Sequence, residues 1–399
     1  MRYIYLTLFL LLATAGFAQI PVIPDSTFNG TGRNVFSTGG TLSFGDNIAL
    51  QADGKIIMTG ANMSLGGIAE LGVARLNTDG TFDNTFGISG ISLISLGGLT
   101  YQGGFEPENL IQPDGKILIC GFSQESGEDD MLICRLLTTG ALDPSFGTGG
   151  TTTINFATAG QPDVANAIAL DASGNIYACG SCRTGGTPFT NDIAIAKLTP
   201  TGALDPTFSG DGKLLIDLTA NQWDYAYGIA VRTDGKIVVT GYTGIPADVF
   251  AIRLLPDGSF DPTFSGDGKV TVDLGGQNVA DEAWGMAMKS DGKIIIVGDG
   301  YNTTSSTFPA YVVQLTEDGS PDPTFSSDGI ASINISGNTD VMRNIIIQPD
   351  GKYLVSGDAM TSATRDFAAI RLHPDGTLDT DFNMTGIFTM DVTELSKDD

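Results

Sequence analysis

Histidine is all but absent: His373 is the only one in 399 residues. In the other repeats described below its place is taken by Asn77, Leu137, Thr199, Leu255 and Thr316. A Ser-His-Asp triad or a histidine-bound metal centre is therefore excluded, and acid–base chemistry could fall only to a carboxylate pair. Bases are scarce as well. Lys and Arg total 20 against 46 Asp and Glu, a net charge of −26. Such a surface repels phosphate backbones and anionic lipid, so neither is an expected partner.

Long apolar runs are missing except at the start. MRYIYLTLFLLLATAGFAQ has one charge (Arg2), an apolar run through Leu12, and small residues at Gly16 and Ala18. It reads as a signal peptide, residues 1–18, cut to leave Gln19; the run is too short to span a bilayer. Residues 19–399 are expected to form one exported, monomeric domain. Cysteines are few: Cys120, Cys134, Cys179 and Cys182. Cys179-Gly-Ser-Cys182 has redox spacing but sits at a strand end, without the helix N-terminus that stabilises a thiolate. Cys120 and Cys134 fall within about one residue of register across a hairpin, and a disulfide between them is expected.

Glycine, by contrast, is abundant at 53, and its placement is periodic. A D-x-[TS]-F motif recurs with Phe28, Phe86, Phe146, Phe208, Phe264 and Phe325, and as DTDF with Phe382. The spacings are 58, 60, 62, 56, 61 and 57, with a Gly four residues after every Phe. Turn glycines at 54, 115, 174, 235, 292 and 351 are each followed six residues later by another. This is a repeat of about 60 residues. Each copy reads as four strands, a to d. In the fifth they are Trp284–Met288, Lys293–Val297, Ala310–Leu315 and Ile330–Ile335. Asp-Gly and Pro-Asp-Gly turns between β-branched runs signal hairpins. The continuous apolar b strands signal cover on both faces, which radially packed blades supply. The expected fold is all-β with essentially no helix: a six-bladed β-propeller, or else a seven-bladed or incompletely closed array.

The pattern L-D-P-T-F-x-G-x-G-K…D-G-K-I-x-V-x-G…R-L-x-P-D-G resembles the delta-60 repeat family, secreted bacterial proteins grouped with β-propellers. The resemblance runs from about Pro24 to Val392. Departures are local: Ser173-Gly-Asn175 replaces D-G-K in the third copy, and Gln314 replaces Arg or Lys in the fifth. The resemblance implies the fold and no enzyme chemistry.

Strand direction places the short DG turns on one face and the variable loops, such as Ala61–Gly67, Gln124–Asp130 and Tyr301–Thr307, on the other. Variable loops on a rigid scaffold are where binding usually resides. Acids gather there. Asp163, Asp224, Asp281 and Asp340 precede the a strands, with Trp223, Tyr227 and Trp284 beside them. Two readings of the Asp set compete. They could ring a central funnel and hold a glycan, a cationic peptide or Ca²⁺, which prefers oxygen ligands. Alternatively, each could accept backbone N–H bonds within its own loop. Better evidence for a specific site comes from the strand-a position that does not repeat: Asp46, Pro107, Asn166, Tyr227, Trp284, Arg343. Recurrent Arg or Lys in strand c should pair with the motif Asp. Function is expected to be non-catalytic binding or adhesion at the acidic loop face, with a carboxylate-dependent glycan-active enzyme as the alternative. Strand d has seven copies, from Arg33–Ser37 to Ile387–Val392, for six of each other strand. The C-terminal copy is expected to take the regular place in the sixth blade.

Overall fold

The computed structural model describes residues 22–391 apart from 35, 39–41, 44, 64–68, 100–107, 124–128, 157–160, 185–189, 221, 275–279, 304 and 362–364. The expected signal peptide, residues 1–18, and most of the loops Ala61–Gly67 and Gln124–Asp130 lie outside the described residues. There is no helix among those described. Strands a to d form six antiparallel blades in chain order, the fold of a six-bladed β-propeller, and the seven-bladed alternative is thereby set aside.

The chain divides into two compact units, Ile23–Ile216 and Asp217–Asp399. The first holds blades 1 to 3. Blade 2 comprises Glu108–Ile111, Ile117–Ser123, Asp130–Leu136 and Thr151–Ile154; blade 3 comprises Asp163–Leu170, Ile176–Arg183, Asn191–Leu198 and Lys213–Ile216. Blade 1 carries an extra short strand, Leu42–Ser43, on its b strand. The second unit holds blade 4 (Asp224–Val231, Ile237–Thr243, Asp248–Leu254, Lys269–Val272), blade 5 (Asp281–Met288, Ile294–Gly300, Ala310–Leu315, Ile330–Ile333) and blade 6 (Asp340–Ile347, Tyr353–Ala359, Asp366–Leu372, Ile387–Met390).

The b and c strands are buried almost throughout, because neighbouring blades within a unit pack face to face; one core cluster joins Leu118 and Ile133 of blade 2 to Ile176 and Ala196 of blade 3. The motif residues lock neighbours together. In blade 2, Arg135 Nε donates to Asp143 Oδ2 at 2.9 Å, and its Nη1 donates to the Pro200 carbonyl of the next blade. The guanidinium also lies 4.6 Å from the centroid of Phe146. Phe146 in turn packs against Gly202, where a Cβ would approach the ring to 2.9 Å and φ is +88°. Only glycine fits both restraints. The strand-b lysine joins the same acid, Lys116 Nζ lying 3.1 Å from Asp143 Oδ2, a partner the sequence reading did not assign. In blade 5, Gln314 replaces the guanidinium: its Nε2 donates to Asp322 at 2.6 Å and the Tyr353 hydroxyl donates to its Oε1 at 2.7 Å.

Two expectations need correction. Cys120 lies opposite Ile133, and Cys134 opposite Ile119. The two cysteines are one residue out of register. Because side chains alternate faces along a strand, that single step puts them on opposite sides of the blade, in different core clusters. No disulfide joins them, and all four cysteines are free and buried. Nor is a strand formed over the described residues of Arg33–Ser37. The N-terminal copy contributes its phenylalanine instead: Phe28 packs on Gly80 of blade 1, and Asn34 Nδ2 donates to the Gly80 carbonyl at 2.7 Å. The C-terminal copy does take the regular position, Ile387–Met390 pairing with strand c of blade 6.

Candidate functional site

The second repeated glycine explains how the site is built. At Gly298, in strand b of blade 5, a Cβ would lie 1.8 Å from the Glu282 carbonyl oxygen. The lack of a side chain lets strand a press in, and its register slips by one residue between Ala283 and Gly285. Trp284 is the extra residue of this β-bulge. Gly241 and Gly357 admit the same approach in blades 4 and 6, and there the bulged residues are Tyr227 and Arg343. Blade 3 repeats the device at Asn166. A bulge turns a side chain out of the ladder, so the non-repeating series in the sequence marks the bulge position.

Within the second unit the three bulges converge. The Tyr227 and Trp284 rings are edge-to-face with centroids 4.8 Å apart. Tyr242 stacks on Tyr227 at 5.7 Å, and Tyr225 lies 5.3 Å from Tyr242. On Trp284 sits the Arg343 guanidinium, 5.2 Å from the ring centroid. This face belongs to a cavity of about 300 Å³ lined by Glu282, Trp284, Asp299, Phe308, Arg343 and Arg365, among others. Glu282 and Asp299 are direct cross-strand partners. Burial pushes the Asp299 carboxyl up to about 7, and the Glu282 charge adds to the rise. The Trp284 indole N–H, donating to Asp299 Oδ1 at 2.8 Å, and the two arginines oppose it. Burial also raises Glu282, with Arg343 opposing. Asp358 accepts from Arg343 Nε at 3.3 Å and from Arg365 Nη1. Sequence reasoning found Tyr227, Trp284 and Arg343; it missed Glu282, Asp299, Asp358 and Arg365, because these positions carry no repeated signal.

The four strand-initial acids behave differently. Asp163, Asp224, Asp281 and Asp340 are fully buried. Each accepts a backbone N–H from the end of the preceding blade's strand-d segment: Phe156 at 2.7 Å, Leu218 at 2.7 Å, Leu274 at 2.6 Å and Ile335 at 2.7 Å. That is the geometry of the second reading, a latch repeated in blades 3 to 6. Trp223 is 46% exposed, and its carbonyl accepts the Gly244 N–H. Carboxylate oxygens of Asp248, Asp273 and Asp281 lie within 4.8 Å of one another and could hold a cation. Burial and the Asp273 charge raise Asp248. The equivalent trio in the first unit is Asp130, Asn155 and Asp163, where Asn155 Nδ2 donates to Asp130 at 2.8 Å.

A family model described as a domain of unknown function (DUF5122) β-propeller matches residues 51–86, 112–146, 184–208, 232–264, 289–325 and 348–382. These matches take in half of the chain, which belongs to this β-propeller family. No curated protein matches the sequence. Among solved structures the chain is similar to an ulvan lyase of a polysaccharide lyase family, with 12% identity, 88% of this chain and 81% of that one covered, and TM-score 0.48. It is similar to the β-propeller domain of the trilobed protease of Pyrococcus furiosus, with 12% identity, 83% and 82% covered, and TM-score 0.42. It also matches an endo-arabinase of Bacteroides thetaiotaomicron, with 10% identity, 67% and 94% covered, and TM-score 0.35. None of these likenesses carries an activity to this chain.

Proposed function

We propose that this protein is a secreted, non-catalytic binding scaffold of the delta-60 type and that the cavity of blades 5 and 6 takes an extracellular glycan. The observation that carries the reading is the meeting of Trp284 and Arg343, from two bulges, at one cavity with Glu282 and Asp299, with Tyr227 packed against Trp284. Sugar hydroxyls both donate and accept. A wall that alternates carboxylate acceptors with guanidinium donors, backed by aromatic carbon, suits them. The cavity's volume is at the small end of ligand sites, the size of one or two rings. The latch acids would then be structural, and specificity would reside in the bulge residues.

The opposed pair Glu282 and Asp299 is the one feature that favours the enzymatic alternative, since two carboxyl groups on facing residues could serve as acid and base. A screen of oligosaccharides for binding and for cleavage by the full chain separates the two. Retention of intact ligand supports the scaffold, release of shorter products the enzyme, and failure to bind any oligosaccharide overturns both.

A further inference from the structure

Beside the cavity runs a tract of aromatic rings, and Trp284 belongs to both. Its ring lines the cavity together with Arg343 of blade 6. Toward blade 4 the same ring lies 4.8 Å from the centroid of Tyr227 and 5.8 Å from that of Tyr242. From Tyr242 the tract steps 5.3 Å to Tyr225. Two residues before Tyr225 stands Trp223, whose carbonyl accepts the Gly244 N–H and so carries the pairing of strands a and b one position further. Side chains alternate along an extended strand, which sets Trp223 and Tyr225 on one side of the blade.

The fold does not demand these rings. Tyr225 and Tyr242 are the cross-strand pair two residues before the bulge of blade 4. The same pair is Glu282 and Asp299 in blade 5, and Val341 and Asp358 in blade 6. Nor are they core residues: Tyr225, Tyr227 and Tyr242 are partly exposed, and Trp223 is 46% exposed. Aromatic surface left in water as a continuous run, rather than as scattered single side chains, marks a binding surface.

We propose that the site takes a linear glycan of equatorially substituted pyranose rings, with one or two rings in the cavity and the next ones along the aromatic tract toward Trp223. The inference rests on reading the cavity as a glycan site. Such rings carry their hydroxyls at the rim and turn C–H faces above and below, which suits a stepped row of aromatic side chains. Each step between centroids is close to the length of one sugar residue. An oligoproline segment also lies well on aromatic rings. Its backbone has carbonyl acceptors alone, however, and gives Glu282 and Asp299 nothing to accept, whereas sugar hydroxyls donate.

The test is calorimetric titration of the full chain with β-1,4-linked gluco-oligosaccharides from the disaccharide to the pentasaccharide, and with oligoproline. Affinity should rise about tenfold over that series, the worth of one or two aromatic contacts. Trp223→Ala should remove most of the rise and leave disaccharide affinity as it is, which also shows the variant to be folded. Equal affinity for all lengths, or a rise that survives Trp223→Ala, overturns the inference while leaving the glycan reading standing. Tighter binding of oligoproline than of any sugar overturns the choice of ligand, and no binding of any probe overturns both.

Discussion

The indole Nε1–H of Trp284 donates to Oδ1 of Asp299 at 2.8 Å, from a bulge on one strand to the strand beside it. The contact joins the two halves of the site, since the bulge exists only because Gly298 admits strand a. Trp284→Phe keeps the ring and removes the donor. A buried acceptor left without its partner costs about 1–3 kcal/mol. Urea unfolding should show that loss, and carboxyl titration by NMR should find Asp299 higher still, because the indole bond favours its charged form.

Asp299 also makes a signed prediction for pH. Its folded value, about 7, lies above that of an unfolded aspartate. The folded state therefore binds more protons between those values, and this group's contribution to stability is full below about pH 4 and declines as pH rises through 7. Asp299→Asn should remove that decline. The variant should gain on wild type above pH 7, by about 4 kcal/mol at most, in denaturant melts run from pH 5 to 8. An unchanged slope would mean the carboxyl is not the titrating group.

The motif acids act in the opposite sense. Lysine, threonine and arginine partners hold Asp261 well below the usual carboxylate range despite burial. Its stabilisation is present above the unfolded value near 4 and is lost as pH falls below it. Asp261→Ala strands Arg253, which is 3% exposed, without its anion. Removing one partner of a buried pair costs about 3–5 kcal/mol, readable as a lowered melting temperature. Blade 5 shows the permitted exception, where Gln314 and the Tyr353 hydroxyl do the same work without a second charge.

Much of this was legible in the sequence because it repeats. The period, the turn glycines, the strand-c base and the motif acid each recur, so blade number and hairpin direction follow from counting. Two kinds of feature were not legible. The Cys120–Cys134 pairing failed on one residue of register, which loop length alone does not settle and which inverts the facing of a side chain. Glu282 and Asp299 were hidden because cross-strand partners 17 positions apart show no local pattern. The role of the second glycine was hidden too: its demand is a carbonyl at 1.8 Å, not a positive φ, and distance is invisible in a sequence.

The trio Asp248, Asp273 and Asp281 offers a comparison inside the molecule. In the first unit Asn155 stands where Asp273 does and donates to Asp130. Asp273→Asn should copy that bond and relieve the crowding that raises Asp248, stabilising the protein by about 0.5–1.5 kcal/mol, the worth of one added hydrogen bond. Millimolar Ca²⁺ should raise the wild-type melting temperature and leave the variant unmoved if a cation resides there, by mass action. A wild type indifferent to Ca²⁺ after chelation would show the trio relieved by a proton alone.

The last prediction concerns Phe28, which lies outside every strand yet is only 2% exposed. Its ring fills the space over Gly80 as Phe86 fills that over Gly140, and the neighbouring Asn29 N–H donates to the Asp79 carbonyl at 2.6 Å. The N-terminal motif thus supplies blade 1 with the plug that blades 2, 3, 5 and 6 receive from their predecessors. Phe28→Ala should therefore cost about 3–5 kcal/mol, as for any buried phenylalanine. Phe86→Ala, inside the array, is the control. If denaturant melts show Phe28→Ala within about 0.5 kcal/mol of wild type, the range of a surface substitution, while Phe86→Ala is severe, the N-terminal segment is ornamental and the first blade stands without a plug.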